Sequence, residues 1–275
     1  MKRLDPFVHL HSHTEYSLFD GISRIGELVS HVKEMGQTAL AITDHGVMYG
    51  AIYLYKECIK QGIKPIIGCE IYVTRGSRFD KSGNGKEKLA HLILLAENNE
   101  GYQNLIKICS KAWTEGYYHR PRADHELLEK YHEGLIVTSA CVGGEVPQAI
   151  LNGDMDEARK VIEFYINTFG KDNYFLEIQN HGLPEEAAVR PVLASLAKEY
   201  GLGLVATNDF HYTKKEDARS QEIKLCISTG KTLDDPYHFH FANDEFYCKS
   251  GDEMRAILGN FPGAIENTRV IADRC

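Results

Sequence analysis

The stretch ALAITDHG (residues 39–46) shows the pattern that governs this chain, a short apolar run that ends in polar residues. Before it lies a predicted helix that Ser23 can cap and that ends at Gly36. The apolar face of that helix, at helical spacing, consists of Ile25, Leu28, Val29 and Val32. After it, residues 51–61 predict a second amphipathic helix that ends at Gly62. A strand between two helices is the unit of an α/β fold.

The same alternation continues along most of the chain. The runs that predict strands are residues 7–11, 39–43, 65–73, 91–96, 135–139, 174–179 and 203–207. Further helices are predicted over 154–169 and 184–200, each followed by a glycine. Runs that are apolar throughout are typical of strands buried on both faces, and strand–helix alternation predicts a mostly parallel sheet. Since no glycine-rich dinucleotide loop is present, we expect the sheet to close into a β/α barrel.

Two regions depart from this alternation. Residues 75–88 are polar and rich in glycine, so they predict a long mobile loop and allow an antiparallel strand pair on its two sides. From residue 214 onward the chain predicts helices and loops, with an aromatic stretch at 237–247. We therefore expect a barrel over residues 1–213 and a mostly helical extension over residues 214–275.

Composition excludes several classes of protein. No apolar run approaches the roughly 20 residues of a membrane span, and no signal peptide begins the chain, so we expect a cytoplasmic protein. The seven cysteines are scattered without a C-x-x-C pair, which argues against a disulfide framework and a zinc ribbon. The net charge of −8 weakens the interpretation as a stand-alone nucleic-acid binder, although bound cations would change the local sign.

Ligand-type side chains stand at or near the ends of the predicted strands. They are His11, His13, Asp20, Asp44, His45, Glu70, His91, Cys141, Asp209 and His211. His11 and His13 form an i, i+2 pair, which points to one side of an extended strand. Barrel enzymes assemble their sites from strand ends on one face, so distant residues can converge there. The mixture of imidazole, carboxylate and thiolate suits Zn²⁺, Mn²⁺ or Fe²⁺ better than Mg²⁺ or Ca²⁺.

Each of these residues alone has a simpler interpretation. A lone His or Asp after a strand is more often a hydrogen-bonded structural residue, and Cys141 alone would be a small buried side chain. Asp44 is either a ligand or a carboxylate that orients an imidazole without touching the metal, and we favour the second role. The pair His238 and His240 lies outside the strand series and is interpreted as structural or surface. Agreement across several strand ends is what favours the metal centre.

Six segments carry a resemblance to a known family. They are residues 9–14 (HLHSHT), 42–46 (ITDHG), 68–70 (GCE), 91–96 (HLILLA), 139–141 (SAC) and 207–211 (TNDFH). They resemble the PHP family, named for its polymerase and histidinol phosphatase members. The similarity to the branch found in bacterial replicative DNA polymerases runs through the end of the chain and includes residues 243–250 and 266–269. It implies that the chain is one domain of a longer polymerase subunit, and that residues 214–275 lead toward the polymerase palm.

The resemblance also implies a fold and a ligand set. The family fold is a distorted seven-stranded β/α barrel whose site binds up to three divalent metals. By resemblance, one metal is held by His11, His13, Glu70 and Asp209. Glu70 would bridge to a second, held also by His91 and Cys141, and the third would be held by Asp20, His45 and His211. Asp20 and Cys141 replace the histidines of many stand-alone members, but both still bind metals.

The implied reaction is 3′–5′ exonuclease cleavage of DNA ends by metal-activated hydroxide, serving as proofreading beside the polymerase. The implied partners are DNA 3′ ends, the remainder of the polymerase subunit and other replisome subunits. Two alternatives stay open at this point. The first is a metal-stabilised structural or partner-docking domain without catalysis. The second is a small-molecule phosphomonoesterase of the histidinol-phosphatase type, against which the polymerase-like tail argues.

Overall fold

The fold is built on a curled mixed sheet of seven strands with helices packed against it. The computed structural model describes residues 5–82 and 89–275. The strands are β1 (Ala39–Ile42), β2 (Lys64–Val73), β3 (Ala90–Ala96), β4 (Arg122–Ala123), β5 (Leu135–Thr138), β6 (Tyr174–Ile178) and β7 (Gly203–Ala206). Six of them lie within one residue of a predicted strand at each end, because their nearly continuous burial gives the apolar runs that predict them.

The strand order is β1-β2-β3-β5-β6-β7, and the short β4 pairs with β2. The pairs β1–β2, β5–β6 and β6–β7 are parallel, whereas β3 runs antiparallel to both β2 and β5. The antiparallel pair of β2 and β3 lies on the two sides of the predicted loop at 75–88. Within that loop, residues 83–88 lie outside the described residues, so the predicted mobility is not addressed there.

The segment before β1 closes the sheet. A continuous strand over 7–11 was predicted, but the structure has isolated parallel bridges instead, from His9 to Leu40 on one side and from Ser12 to Phe210 on the other. The backbone N–H of Ala41 donates to His9, and that of His13 donates to Phe210. The segment therefore lies between β1 and the residues after β7. This closure is the reason why the curled sheet has the β/α barrel character that the sequence predicted.

Ten α-helices are described. They are α1 (Ile25–Glu34), α2 (Ala51–Gln61), α3 (Asn99–Thr114), α4 (His125–Lys130), α5 (Glu145–Leu151), α6 (Met155–Phe169), α7 (Pro184–Tyr200), α8 (Ala218–Thr229), α9 (Gly251–Leu258) and α10 (Glu266–Arg274). The predicted ends of α2 and α7 are confirmed, and both helices stop at a glycine in the left-handed conformation. The predicted cap of α1 is wrong: Arg24 occupies the N-cap position, and no side chain caps the helix.

The last helix belongs to the barrel core. Ile271 and Ala272 of α10 pack among apolar side chains from β1, β2, β3, β5, β6 and β7. The Lys64 side chain, at the start of β2, donates a hydrogen bond to the carbonyl of Ala272 over 2.6 Å. Thus α10 covers the barrel at the beginnings of its parallel strands. The boundary at residues 213 and 214 stays a prediction, but this part of the extension packs as tightly as the barrel itself. None of the described helices is both long and apolar enough to cross a membrane.

Candidate metal centre

Nine ligand-type side chains that are distant in sequence meet at the end of the barrel opposite α10. They are His11, His13, Asp20, His45, Glu70, His91, Cys141, Asp209 and His211. The parallel strands β1, β5 and β7 end here, so the residues that follow them converge, and the antiparallel β3 contributes the residue near its start. Each of the nine lies within 4 Å of at least one other.

The deepest group contains two histidines and two carboxylates. The Oδ1 atom of Asp209 lies 3.1 Å from Nε2 of His11 and 2.9 Å from Nε2 of His13. The two carboxylate oxygens of Glu70 lie 3.5 Å and 3.4 Å from the same two nitrogens. Both histidines are fully buried. Five ligand atoms from four side chains therefore face one small space, and all five are buried.

Two further groups adjoin the first, one through Glu70 Oε1 itself and one through the contact of His45 with Glu70. Glu70 Oε1 lies 2.8 Å from Nδ1 of His91, and that nitrogen lies 3.5 Å from Sγ of Cys141. On the other side, Oδ2 of Asp20 lies 3.4 Å from Nε2 of His45 and 3.7 Å from Nε2 of His211. The ring of His13 stacks against the rings of both His45 and His211, with centroid distances of 4.0 and 4.3 Å, and those two rings lie 5.7 Å from each other.

Unpaired buried atoms test whether these residues fit a metal. Of the twelve buried side-chain atoms that make no hydrogen bond among the described residues, seven belong to this centre: Nε2 of His11 and His13, Nδ1 of His45, Oδ1 of Asp20 and Asp209, and both carboxylate oxygens of Glu70. Buried polar atoms without hydrogen-bond partners are rare in folded proteins, and each such atom costs about 1–3 kcal/mol of stability. Except for Oδ1 of Asp20, each of these atoms lies within 3.5 Å of another one of them. Imidazole with carboxylate is a donor set that binds divalent ions. The clusters therefore fit a divalent metal centre.

Charge shifts the pKa values of the inner histidines in opposite directions. Burial alone would lower the pKa of His11, but the carboxylates of Asp209, Glu177 and Glu70 hold it well above its ordinary value. Burial and the adjacent imidazoles lower the pKa of His13 to about 3. His13 is therefore neutral, the form in which an imidazole ligates a metal.

The pKa values of Glu70, Asp209 and Cys141 are also shifted by burial and by the charged groups of the centre. Burial would raise the pKa values of Glu70 and Asp209, but the histidines around them hold both well below the ordinary range. Burial, Asp209 and Glu70 raise the pKa of the Cys141 thiol well above its ordinary value. A cation is what would convert this thiol to a thiolate ligand.

Comparison with known proteins gives the family. A family model described as "PHP domain" matches residues 9–181, which is more than half of the chain. The chain belongs to the PHP family. It is 48% identical over 270 residues to the DNA polymerase III subunit alpha of Treponema pallidum, and 48% identical over 278 residues to that of Thermus aquaticus. Both alignments cover 98% of this chain but only 23% and 22% of the relatives, so the chain spans less than a quarter of their length.

The fold of this PHP domain is also found in a distant solved structure. An amidohydrolase from Chromobacterium violaceum superposes with a TM-score of 0.50 at 15% sequence identity, over 79% of this chain and 96% of its own. At that identity the likeness concerns the fold alone. It supports the β/α barrel character of the curled sheet.

A buried carboxylate that the sequence analysis missed positions His11 in this PHP domain. Glu177, in the middle of β6, lies 2.6 Å from Nδ1 of His11 and accepts hydrogen bonds from the hydroxyls of Thr138 and Thr207 and from the amide of Gln179. Because Nδ1 of His11 faces Glu177, Nε2 is the ring atom that faces the centre, and it can ligate a metal once its proton is displaced. An acidic residue within an otherwise apolar strand was the available signal.

Asp44 positions His13 in a similar way, through a serine. Its carboxylate accepts hydrogen bonds from the backbone N–H of Thr14 at 2.7 Å, from the hydroxyl of Thr14 at 2.8 Å and from the hydroxyl of Ser17 at 2.8 Å. Ser17 Oγ lies 2.9 Å from Nδ1 of His13. Because the Ser17 proton goes to Asp44, Nδ1 of His13 must donate to Ser17, which leaves its Nε2 lone pair toward the centre. Burial raises the pKa of Asp44, and these hydrogen bonds oppose the increase.

A second missed residue supports Asp209. The ring of His181 lies 2.6 Å from the carbonyl of Asn208 and 2.6 Å from a carboxylate oxygen of Glu186, and it stacks on Phe246. Asp209 itself has φ +41°, a left-handed conformation that costs a non-glycine residue about 1–3 kcal/mol. The contact to Asn208 thus helps to hold the strained residue that follows it. No local sequence pattern marks His181 for this role.

The remaining H-x-H pair lies away from the centre. His238 contacts Glu222 at 2.8 Å, and His240 contacts the carbonyl of Phe241 at 2.8 Å. Neither belongs to a group of metal-ligand geometry among the described residues.

Proposed function

We propose that this chain is a metal-dependent phosphoesterase that acts as a 3′–5′ exonuclease on DNA ends. The observation that carries the proposal is the convergence of the nine ligand-type side chains, with buried and unpaired ligand atoms facing each other. A structural role needs fewer ligands, since structural zinc sites are typically closed with four. A centre with several adjacent groups is the arrangement that metal-assisted phosphoryl chemistry uses.

Three ligand groups would hold up to three divalent ions, which we propose to be Zn²⁺, Mn²⁺ or Fe²⁺. The inner group is His11, His13, Glu70 and Asp209. The outer group is Glu70, His91 and Cys141. The remaining group is Asp20, His45 and His211. Such ions, when bound, would activate water at neutral pH and neutralise phosphoryl charge.

The protein's own residues supply orientation and access. Glu177 and Ser17 fix the rings of His11 and His13, so the inner ligands need no rearrangement to bind. Access is from the outer side, where the His91 side chain is 26% exposed. A phosphodiester would therefore approach past His91, while the buried inner group excludes bulk water from the opposite side.

The curated relatives support the choice of substrate and partners that we propose. They are DNA polymerase III alpha subunits, so we propose that the phosphodiester belongs to a DNA 3′ end that leaves the polymerase. The proposed partners are then the remainder of the alpha subunit and other replisome subunits, and the proposed location is the cytoplasm.

The test is degradation of a 5′-labelled single-stranded oligonucleotide by the purified chain with Mn²⁺ or Zn²⁺. We expect stepwise shortening from the 3′ end that stops when the metal is chelated. Asp209→Asn should abolish it, because Asp209 contacts both inner histidines. The matched control is Asp156→Asn, which removes an exposed carboxylate on α6 and should leave the rate unchanged.

An absence of shortening, with bound metal verified by elemental analysis and the fold by circular dichroism, would contradict nuclease activity in this chain. The metal-stabilised structural domain would then be the better explanation. Hydrolysis of a phosphomonoester without any oligonucleotide cleavage would instead favour the histidinol-phosphatase type.

A further inference from the structure

A small cavity opens beside the outer side of the metal centre. Its volume is about 280 Å³, and its lining includes His91, Tyr72, Tyr118, His119 and Arg120. The ring of Tyr72 lies 5.3 Å from that of His91 and 6.1 Å from that of His45. The cavity therefore contacts the proposed ligand His91 directly and is separated from His45 by the ring of Tyr72.

Arg120 brings a positive charge to this cavity. Its guanidinium carbon lies 5.4 Å from the ring centre of Phe19 and 5.6 Å from that of Tyr72. The side chain is exposed, and within residues 5–82 and 89–275 no ion pair or side-chain hydrogen bond involves it. In a chain of net charge −8, an arginine without a carboxylate partner at the opening of a metal centre is free to meet an anion.

The loop that presents Arg120 is held in place. Arg122 is buried and donates hydrogen bonds to the carbonyls of Gly116 at 2.9 Å, Arg78 at 3.0 Å and Asp80 at 2.7 Å. Next to Arg120, His119 has φ +61°, a conformation that non-glycine residues adopt only when the surroundings impose it. The backbone on both sides of Arg120 is thus held by the fold, which keeps its side chain at the rim of the cavity.

Two stacked aromatic rings continue the same surface. Trp113 and Tyr117 lie with their centroids 5.3 Å apart at an interplanar angle of 11°, and they are 41% and 47% exposed. The indole N–H of Trp113 donates to the carbonyl of Gly46 at 2.8 Å, directly after His45. Exposed aromatic residues that are fixed by a hydrogen bond offer a rigid flat face.

Gly46 lies between the Trp113–Tyr117 pair and the loop that presents Arg120. Its φ is +63°, and a Cβ atom at this position would lie 2.8 Å from Pro121 and 3.4 Å from the ring of Tyr72. The aromatic pair and the loop of Arg120 therefore meet at a backbone position that accepts only glycine. Gly46 thus links the ring of Trp113 to Tyr72 and to the loop of Arg120, and it directly follows the proposed ligand His45.

We propose that this surface binds single-stranded nucleic acid, with a backbone phosphate on Arg120 and a base stacked on the Trp113–Tyr117 pair. Flat aromatic faces with a nearby cation are how proteins bind unpaired strands without reading sequence. In a duplex the base faces are already covered, so the surface favours an unpaired end. The inference rests on the proposed phosphoesterase function and specifies the form of its substrate.

Trp113 is the only tryptophan of the chain, so its fluorescence reports directly on this surface. The Zn²⁺-loaded chain would be titrated with a dT oligonucleotide whose 3′-terminal linkages are phosphorothioates, to suppress cleavage. We expect saturable quenching by the single strand. A blunt duplex of equal length should bind about 5- to 150-fold more weakly, which corresponds to the loss of one stacked base.

Variants separate the two contacts, with binding measured by the anisotropy of a 5′-fluorescein dT oligonucleotide. Trp113→Ala should weaken binding about 5- to 150-fold, whereas Trp113→Phe keeps a ring and should recover most of the affinity. Arg120→Gln should reduce the slope of log K against log salt concentration by about 0.7, the value for one phosphate contact on a single strand. The matched control is Arg159→Gln, whose arginine pairs with Glu199 on the surface of α6 and α7. It should leave affinity and slope unchanged.

The outcomes distinguish this inference from the exonuclease proposal. Quenching together with a reduced slope in Arg120→Gln would support the surface even if no strand is ever shortened. Strand shortening without quenching, with Arg120→Gln and Trp113→Ala binding as the wild type does, would overturn the surface and leave the exonuclease proposal in place. Melting temperatures near the wild-type value would show that each variant is folded.

Discussion

The inner and outer groups of the metal centre share Glu70 but are built differently. In the inner group, His11 and His13 are fully buried, and a hydrogen bond to Nδ1 fixes each ring. In the outer group, His91 is partly exposed, and its Nδ1 faces only Glu70 and Cys141, themselves proposed ligands. The fold therefore prepares the inner ligands before any ion binds, whereas the outer ligands depend on the ion for their arrangement.

The largest effect should come from the carboxylate behind the inner group. Glu177→Ala leaves two threonine hydroxyls, an amide and His11 without their buried acceptor. We expect the free energy of unfolding of the metal-free protein to fall by about 3–5 kcal/mol. Urea denaturation in the presence of a chelator measures it. Glu177→Gln keeps the shape and should lose less, and a wild-type midpoint for Glu177→Ala would show that the inner group is not prepared by the fold.

Metal removal should have the next largest effect. At an ion concentration 100 times the dissociation constant, binding stabilises the folded state by about 2.7 kcal/mol. For a chain of this size we expect chelation to lower the melting temperature by roughly 5–10 °C. Asp209→Asn should lose most of this shift, since Asp209 contacts both inner histidines, whereas Cys141→Ser should keep most of it. The reverse ranking would mean that the outer group is the tighter one.

Ser17→Ala should have an intermediate effect. It removes one hydrogen bond to Asp44 and the acceptor that orients His13. We expect a loss of about 1–3 kcal/mol in unfolding free energy and a 10- to 100-fold weaker metal affinity, of the order found for supporting residues at other metal sites. Ser30→Ala on α1, whose hydroxyl bonds a carbonyl of its own helix, is the control. Equal metal affinity in the two variants would refute the positioning of His13 by Ser17.

Cys141→Ser should have the smallest effect on the metal-free protein. Cys141 is only partly buried, and the free energy of unfolding should change by no more than about 0.5 kcal/mol. With Co²⁺ bound, the wild type should show a thiolate-to-cobalt charge-transfer band that Cys141→Ser lacks. A band of equal strength in both proteins would place Cys141 outside the centre and would restrict the outer group to Glu70 and His91.

The strands and several helix ends could be predicted because their causes are local. The strand cores are apolar throughout since both faces are buried, and α7 is bounded by Pro184 and by Gly201 in the left-handed conformation. The predicted cap by Ser23 failed because the cap depends on the path of the preceding loop. There the carbonyl of Ser23 accepts a hydrogen bond from Glu15, and the helix begins after Arg24.

The candidate site likewise has residues that could be predicted from the sequence and residues that could not. Eight of its ligand-type residues were visible because each begins, follows or lies within an apolar run, and Asp20 lies in the loop after the first run. The structure brings all nine together. Glu177 and His181 were missed because their roles exist only through partners that are distant in sequence, such as His11, which is 166 residues away from Glu177. Which side chain positions another is set by tertiary contacts, and single-sequence patterns do not contain them. The roles of the nine residues as metal ligands stay a prediction.

The closure of the barrel by residues 9–13 fixes the order of events on the ribosome. The segment that carries His11 and His13 is bridged to Phe210, and the His9 ring contacts the carbonyl of Lys249. At about 5–20 residues per second, roughly 10–40 s pass between the synthesis of Ser12 and that of Phe210. During this interval the nascent chain holds the first histidines without the strand that fixes them. The nine ligand-type side chains therefore cannot meet until the chain through His211 has emerged, so any metal binding that uses all of them would follow the synthesis of the last barrel strand.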